Sequence, residues 1–539
     1  MMTRRGFLRR LGVGAAAAFG LAGRSGEASG GRKRRPNVVL IVCDDLNDYV
    51  TGMGGHPQAR TPNIAKLARS GVAFRRAYSN NPISAPSRSS FLTGIYPHVS
   101  RNFSFAKWYD NPVLKNSKTL MEHFRDNGYQ VIGSGKLMHH LQVGTWSEFK
   151  HRHDYGPFVY NGTEKVAHPS VPEPFRSIGF VDGSFAPLSD QPYGPEARGN
   201  KGWIYGKWGK IQKFNYTDEN NRDPTPDERN AAWAAERIKQ LASEPGGKPF
   251  FLGVGFIRPH TPLHVPKRFF DMFPLKSVKV PVIKSGDAED CHYAALLKPD
   301  QKGLKYFRLL KQSYPDLGSA LKAFTQAYLA SVAAVDECIG RVVAAVDNSP
   351  LKDSTVIVVT SDHGWNMGEK DYLFKNALWE ESTRVPLVIR APGVGAAGGV
   401  AEHPASLIDL YPTLVDLCGL EGDTRKNARG AKLDGHSLRP LLSDPNGGKW
   451  TGPDAALTVV FAGGATKGDP ARQHWSVRTK RWRYILYNSG AEELYDHDAD
   501  PYEWTNLADD ARYAEAKAGL RGTLLRMTGP AKQVTRWQR

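Results

Sequence analysis

Residues 37–45 read NVVLIVCDD: an unbroken apolar run from Val38 to Cys43 that ends on two carboxylates, Asp44 and Asp45. A run of strand length with no polar alternation fits a strand buried on both faces, as in a parallel sheet covered by helices. Working outward, Phe250–Phe256, Thr355–Thr360 (TVIVVT) and Val385–Arg390 read as further buried strands, and Tyr129–Ile132 as a short one. Between them, Ser117–Asn127, Pro226–Glu244 and Leu321–Val346 read as helices, the second ending before Pro245-Gly246-Gly247. This alternation predicts an α/β fold with a mainly parallel central sheet and helices on both faces.

The chain has 539 residues, enough for one large α/β domain, expected over 36–420, and a smaller C-terminal α+β subdomain, expected over 421–539. Trp475–Arg478 and Tyr484–Tyr487 read as short strands of that second unit, while Ala391–Gly399 reads as a loop. Residues 151–222 are rich in Gly, Pro, Asn, Tyr and Trp and lack periodicity, which predicts an irregular insertion; long ordered loops are often functional.

The first residues carry an address. Thr3-Arg4-Arg5-Gly6-Phe7-Leu8 is a twin-arginine pattern before a Gly/Ala-rich run, Leu11–Gly23, so 1–28 reads as a signal segment cut near Ala28. The run is too short and weakly apolar for a stable membrane anchor, and no cysteine follows it to carry a lipid. The twin-arginine translocase is the implied partner, and a periplasmic or secreted location the implied destination. The net charge is +18, part of it in Arg4, Arg5, Arg9, Arg10, Arg24 and Arg32 to Arg35. The basic body suits nucleic acid, an anionic membrane or an anionic substrate. No zinc finger, Arg-rich helix or aromatic-basic RNA motif is present, which argues against nucleic acid. The 4 cysteines form no CxxC pair, so a thiol metal site is not expected.

Two motifs sit where strands end. Asp44-Asp45 follow the first buried run and Asp362-His363-Gly364 the TVIVVT run; carboxyl ends of parallel strands line the binding crevice of such sheets. Three carboxylates and an imidazole suit a divalent cation: calcium or magnesium by oxygen dominance, with His363 leaving manganese or zinc open. The alternative is an ordinary polar turn at Asp44-Asp45. Ser84-Ala85-Pro86-Ser87-Arg88, followed by Leu92-Thr93-Gly94, can present residue 84 at a helix start, where backbone N–H groups and Arg88 hold an anion. Its alternative is a Ser-rich loop before a helix.

Together these stretches resemble the signature of the type I, formylglycine-dependent sulfatases of the alkaline phosphatase superfamily: Cys or Ser, x-Pro-Ser-Arg, three variable residues, Leu-Thr-Gly. The resemblance covers most of the chain after residue 35, and includes Gly135-Lys136 with His139, Arg258-Pro259-His260-Thr261-Pro262, Gly368-Glu369 and Lys375-Asn376. It is strongest toward the iduronate-2-sulfatase-like branch, through the PHxP, Lys-x-x-His and SDHGW segments. It implies that Asp44, Asp45, Ser84, Asp362 and His363 bind calcium, and that Arg88, Lys136, His139, His260 and Lys375 surround the sulfate. It also implies that Ser84, where many members have Cys, is oxidised to formylglycine (3-oxoalanine) by a radical-type maturase. His260 with Lys375 is then expected to protonate the leaving group and His139 to act as base. Plain alternatives stand beside these: a capping Lys136, an exposed His139-His140 pair, a surface Lys375.

The implied substrate is a sulfated carbohydrate, with Trp203, Tyr205 and Trp208 expected to offer aromatic faces to sugar rings. The rival functions are a phosphate or phosphonate ester hydrolase using unmodified Ser84, and a non-catalytic glycan-binding relative.

Overall fold

Asn37–Asp44 forms strand β1, with all of its residues buried in the computed structural model. The structure describes residues 35–529 apart from 195–198, 200, 207–210, 245, 294–299 and 467. The signal segment at 1–28 and Trp208 lie outside the described residues.

Alternate β1 side chains serve two cores. Val39, Ile41 and Cys43 pack with residues of the helices Pro226–Ala242 and Leu317–Asp347. Val38, Leu40 and Val42 pack with residues of Leu120–Asp126 and Leu410–Cys418. Each fully buried Val, Leu or Ile contributes about 1.5–3 kcal/mol, so the unbroken apolar run is what lets both faces carry helices.

The remaining strands of this sheet are β2 (Val72–Tyr78), β3 (Gln130–Gly135), β4 (Glu148–Arg152), β5 (Phe250–Pro259), β6 (Thr355–Ser361), β7 (Arg384–Arg390), β8 (Gly399–Ala401) and β9 (Ala405–Ser406). Their order is β8-β2-β7-β6-β1-β5-β3-β4, with β9 also on β2. The pairs among β6, β1, β5, β3 and β4 are parallel. β7 runs antiparallel to both its neighbours, β6 and β2. The sheet is thus mainly parallel, with one reversed strand that the apolar run at Val385–Arg390 could not disclose.

Register places the site. Cys43 of β1 lies opposite Ser361 of β6, Asp44 opposite Pro259 of β5, and Gly135 of β3 opposite Gly255 of β5. The residues that follow these positions, Asp45, Asp362-His363, His260 and Lys136, therefore emerge at one edge of the sheet.

Element ends follow capping chemistry. The first helix expected from sequence begins at Leu120 rather than Ser117, because Thr119 and Glu122 form a capping box. The helix after it opens on the Thr225–Glu228 box and ends at Ala242. The insertion is not wholly irregular: Phe158–Tyr160, Lys165–Val166 and Gly202–Ile204 form a small sheet. Trp203 and Tyr205 are 3% and 4% exposed and pack with Val159, Leu188 and Phe214. They are the core of the insertion, which corrects the expectation that they face sugar rings.

Beyond residue 420, a four-stranded antiparallel sheet (Ala456–Val460, His474–Arg478, Trp482–Leu486, Glu492–Asp496) packs with the helix Ala514–Thr528. All four cysteines are buried free thiols. Among the described residues no helix is long and apolar enough to cross a membrane.

Candidate active site

Ser84 is the first residue of the helix Ser84–Thr93, which is buried throughout. Its Oγ lies 3.0 Å from Asp44 Oδ1 and 3.0 Å from His363 Nε2, and Lys136 Nζ donates to it at 3.4 Å. His363 Nδ1 faces the Gly364 carbonyl at 3.0 Å, which leaves Nε2 as the accepting nitrogen. The helix turns Arg88 inward as well. Its guanidinium donates to Asp362 Oδ2 at 2.8 Å, Asp44 Oδ1 at 3.3 Å, and the carbonyls of Cys43 and Leu137 at 3.2 and 3.0 Å.

Asp45 turns the chain. Its φ of 65° is left-handed, a conformation short polar side chains tolerate. Neighbouring side chains on a strand point to opposite faces, so this turn is what lets Asp44 and Asp45 share one site. The Asp45 carboxylate accepts two bonds from Lys375 Nζ, at 2.7 and 2.9 Å, and lies 3.8 Å from His260 Nε2. Lys136 pairs with the Asp44 carboxylate. One donor atom from each of Asp44, Asp45, Asp362 and His363 falls within 4.8 Å of the others, and all four residues are buried.

The electrostatics follow from burial and crowding. Burial works to raise the Asp44 pKa, but the cations Lys136, Arg88 and Lys375 outweigh it and hold that carboxyl well below its usual range. For Asp45, burial wins: helped by the Asp44 and Asp362 charges, it pushes the group up to about 8 against the pull of Lys375. Burial, then Lys375 and Lys136, hold His260 well below its usual value. The His260 Nδ1 lies 2.6 Å from the Thr261 carbonyl, so its proton sits there and Nε2 faces Asp45 bare.

The residues expected from sequence thus converge, with one standing further out. His139 is half-buried, makes no hydrogen bond to Ser84 or the carboxylates among the described residues, and packs against Phe105, His140 and His153. Burial first, then Lys136, push its pKa down to about 2.

Other residues of the site escaped the sequence reading. Tyr328 donates to the Asp45 carbonyl at 2.6 Å and accepts from Asn47 N–H at 3.0 Å. Ser79 and Ser87 both donate to the Asp362 carbonyl, at 2.7 and 2.6 Å. Asp227 accepts the N–H groups of Ile257 and Arg258 at 2.8 and 2.9 Å. Asp227 follows Thr225-Pro226 at a helix start, where an acid reads as a capping residue; Tyr328 is one apolar-face residue among many.

The geometry suits a hydrolase: the buried helix start that carries Ser84 faces a carboxylate–imidazole cluster under three buried cations. The sulfatase family matches residues 36–420, and the family of N-sulphoglucosamine sulphohydrolase C-terminal regions matches residues 368–529. The chain belongs to the sulfatase family and is a sulfuric ester hydrolase. It is 31% identical to a sulfatase of Formosa agariphila, over 91% of this chain and 86% of that one. It is 28% identical to the iduronate 2-sulfatase of Mus musculus, over 90% and 93%. Among solved structures it is similar to the phosphonate monoester hydrolase of Agrobacterium radiobacter, at 26% identity and TM-score 0.64, covering 92% of this chain and 95% of that one.

Proposed function

We propose that the protein hydrolyses sulfate esters of a sulfated carbohydrate, using a formylglycine made from Ser84 and a divalent cation held by Asp44, Asp45, Ser84, Asp362 and His363. The observation that carries this is the placement of Ser84 Oγ 3.0 Å from both Asp44 and His363, at the start of a buried helix. The carbohydrate rests on the likeness to iduronate 2-sulfatase and on the basic body.

The donor set fits a hard cation. Burial, with the Asp44 and Asp362 charges adding to it, raises Asp45 to about 8 against the pull of Lys375, and a divalent ion at this site would favour the charged carboxylate. Oxygen donors favour calcium, with magnesium and manganese next. Bound there, the ion stabilises negative charge on the reacting oxygens. Oxidation by a maturase takes two hydrogens from Ser84; the hydrated aldehyde supplies one hydroxyl to attack sulfur and a second whose deprotonation expels sulfate.

The chain's own residues do the rest. Arg88, Lys136 and Lys375 are buried cations aimed at the place where sulfate charge develops. His260 Nε2 is unprotonated in the resting site, and an incoming sulfate raises its proton affinity, opposite in sign to the lysines. Charged in this way, and with Lys375 beside it, His260 protonates the departing alcohol. His139, at the outer edge and held low by burial and Lys136, can serve as base only once the bound sulfate raises its proton affinity in the same way. The Arg4-Arg5 segment directs export through the twin-arginine translocase to the periplasm or beyond.

The phosphonate hydrolase reading, with unmodified Ser84, is kept in play by the structural likeness reported above. Turnover of a chromogenic aryl sulfate, compared with a phosphonate monoester, separates the two. Activity is expected on the sulfate, lost on exhaustive chelation, restored by calcium, and absent from a folded Asp44→Asn protein. Full activity after both chelation and Asp44→Asn rules out the metal assignment.

A further inference from the structure

Tyr155 belongs to none of the sequence motifs, yet it stands among their residues. Its ring packs edge-on against that of His260, with centroids 4.9 Å apart, and Lys136 Nζ lies 5.0 Å from its centroid. It bridges the residue proposed to hold sulfate and the residue proposed to protonate the leaving group. The phenol also feels the charges of Asp44, Lys375, Arg88 and Asp45; burial first, then Asp44, hold its pKa well above the usual value, so it stays an O–H donor.

A tyrosine kept only for packing normally satisfies its hydroxyl. Tyr78, Tyr328 and Tyr372 do so, donating to Glu380, the Asp45 carbonyl and the Lys375 carbonyl. Tyr155 is only half-buried, and no hydrogen bond from its hydroxyl is found among the described residues.

The chain also invests in holding Tyr155 still. Arg258, itself buried, donates to the carbonyls of Tyr155 at 3.3 Å, Gly156 at 3.0 Å and His260 at 3.0 Å. One guanidinium therefore ties the insertion to the His260 turn. Asp227 holds Arg258 in turn, accepting its N–H at 2.9 Å and that of Ile257 at 2.8 Å. Asp154 closes the turn from the other side, accepting from Gly156 and Gly206 N–H at 2.8 and 2.7 Å.

We infer that Tyr155 is a further substrate-contacting residue, donating its phenolic hydrogen to the sulfate ester bound between Lys136 and His260, and that Arg258 and Asp227 are its positioning residues. This rests on the proposed sulfatase reading of the site and deepens it.

The test compares matured wild type, Tyr155→Phe, Arg258→Lys and the double variant on one sulfate ester. Tyr155→Phe keeps the ring and removes only the donor. It is expected to lower kcat/KM by about tenfold or more, with Tm and bound cation unchanged. Arg258→Lys is expected to lower kcat more than it raises KM, and to cost less on top of Tyr155→Phe than alone, because both act on one contact. Wild-type kcat/KM in a folded Tyr155→Phe enzyme overturns the inference and leaves the sulfatase reading standing. Strictly additive losses overturn the positioning role. A wild type that turns over no sulfate ester removes reading and inference together.

Discussion

Asp45 shows how much one backbone angle decides. In extended conformation it would point away from Asp44; at a φ of 65° it meets Asp362, His363 and Lys375. That convergence was legible because Asp44-Asp45 and Asp362-His363 each follow an apolar strand run. Tyr155 was not, because a lone tyrosine between Gly156 and a histidine-rich stretch has no period to betray its direction. The residue that most needs a functional test is His260, whose Nε2 faces the site while Nδ1 is tied to its own turn. His260→Ala is expected to slow sugar sulfates by about 10²–10⁴-fold, the usual worth of a proton donor. Aryl sulfates with acidic phenols need little protonation and should lose far less. Equal losses on both substrate types would assign His260 to binding instead.

The elements explain why separate stretches of chain meet. Parallel strands β1, β3, β5 and β6 end at one edge, so the residues that follow them form the site without further design. Sequence read the buried strands well because each is continuously apolar. It missed β2, whose exposed Arg75 and half-buried Arg76 break the run, and the short β8 and β9, which are too brief to show a pattern. Two helix starts were misjudged where side-chain capping decides them, at Leu120 behind Thr119 and at Leu317 behind Asp316, while the start at Pro226 was read as it stands. The helix Pro62–Arg69, not read from the sequence, is capped from outside: its N-cap Thr61 makes no side-chain cap, and Asp336 of the long helix Leu317–Asp347 does the work. Asp336 accepts the N–H groups of Asn63 at 3.0 Å and Ile64 at 2.9 Å, and the Asn63 amide at 2.8 Å. Asp336→Ala leaves the buried Ile64 N–H and the half-buried Asn63 donors unpaired, and is expected to cost about 1–3 kcal/mol of stability. Tyr328, the long helix's contact with Asp45, lies about 12 Å along the axis by helical rise, so kcat should be unchanged. Chemical denaturation beside a turnover assay checks both; a lost kcat with intact stability would contradict this.

At the scale of the whole molecule, the proposed maturation and export call for a workable order. Ser84 is 2% exposed in the folded chain, so the maturase proposed to oxidise it would have to reach it before the sheet closes over it. A twin-arginine pathway carries folded proteins, which suits modification first and transport second. Replacing Arg4 and Arg5 with lysines should then leave modified, active enzyme inside the cell, detected by fractionation and assay; secreted activity from that variant would argue for another route. The central claim, that Ser84 becomes the aldehyde that attacks sulfur, is tested most directly by mass spectrometry of the peptide containing Ser84, from a fully active preparation of the native host. The expected spectrum shows that peptide lighter by two hydrogens, in a fraction that tracks specific activity. An unmodified Ser84 in fully active enzyme would contradict the formylglycine mechanism and favour direct attack by serine on a phosphate or phosphonate ester.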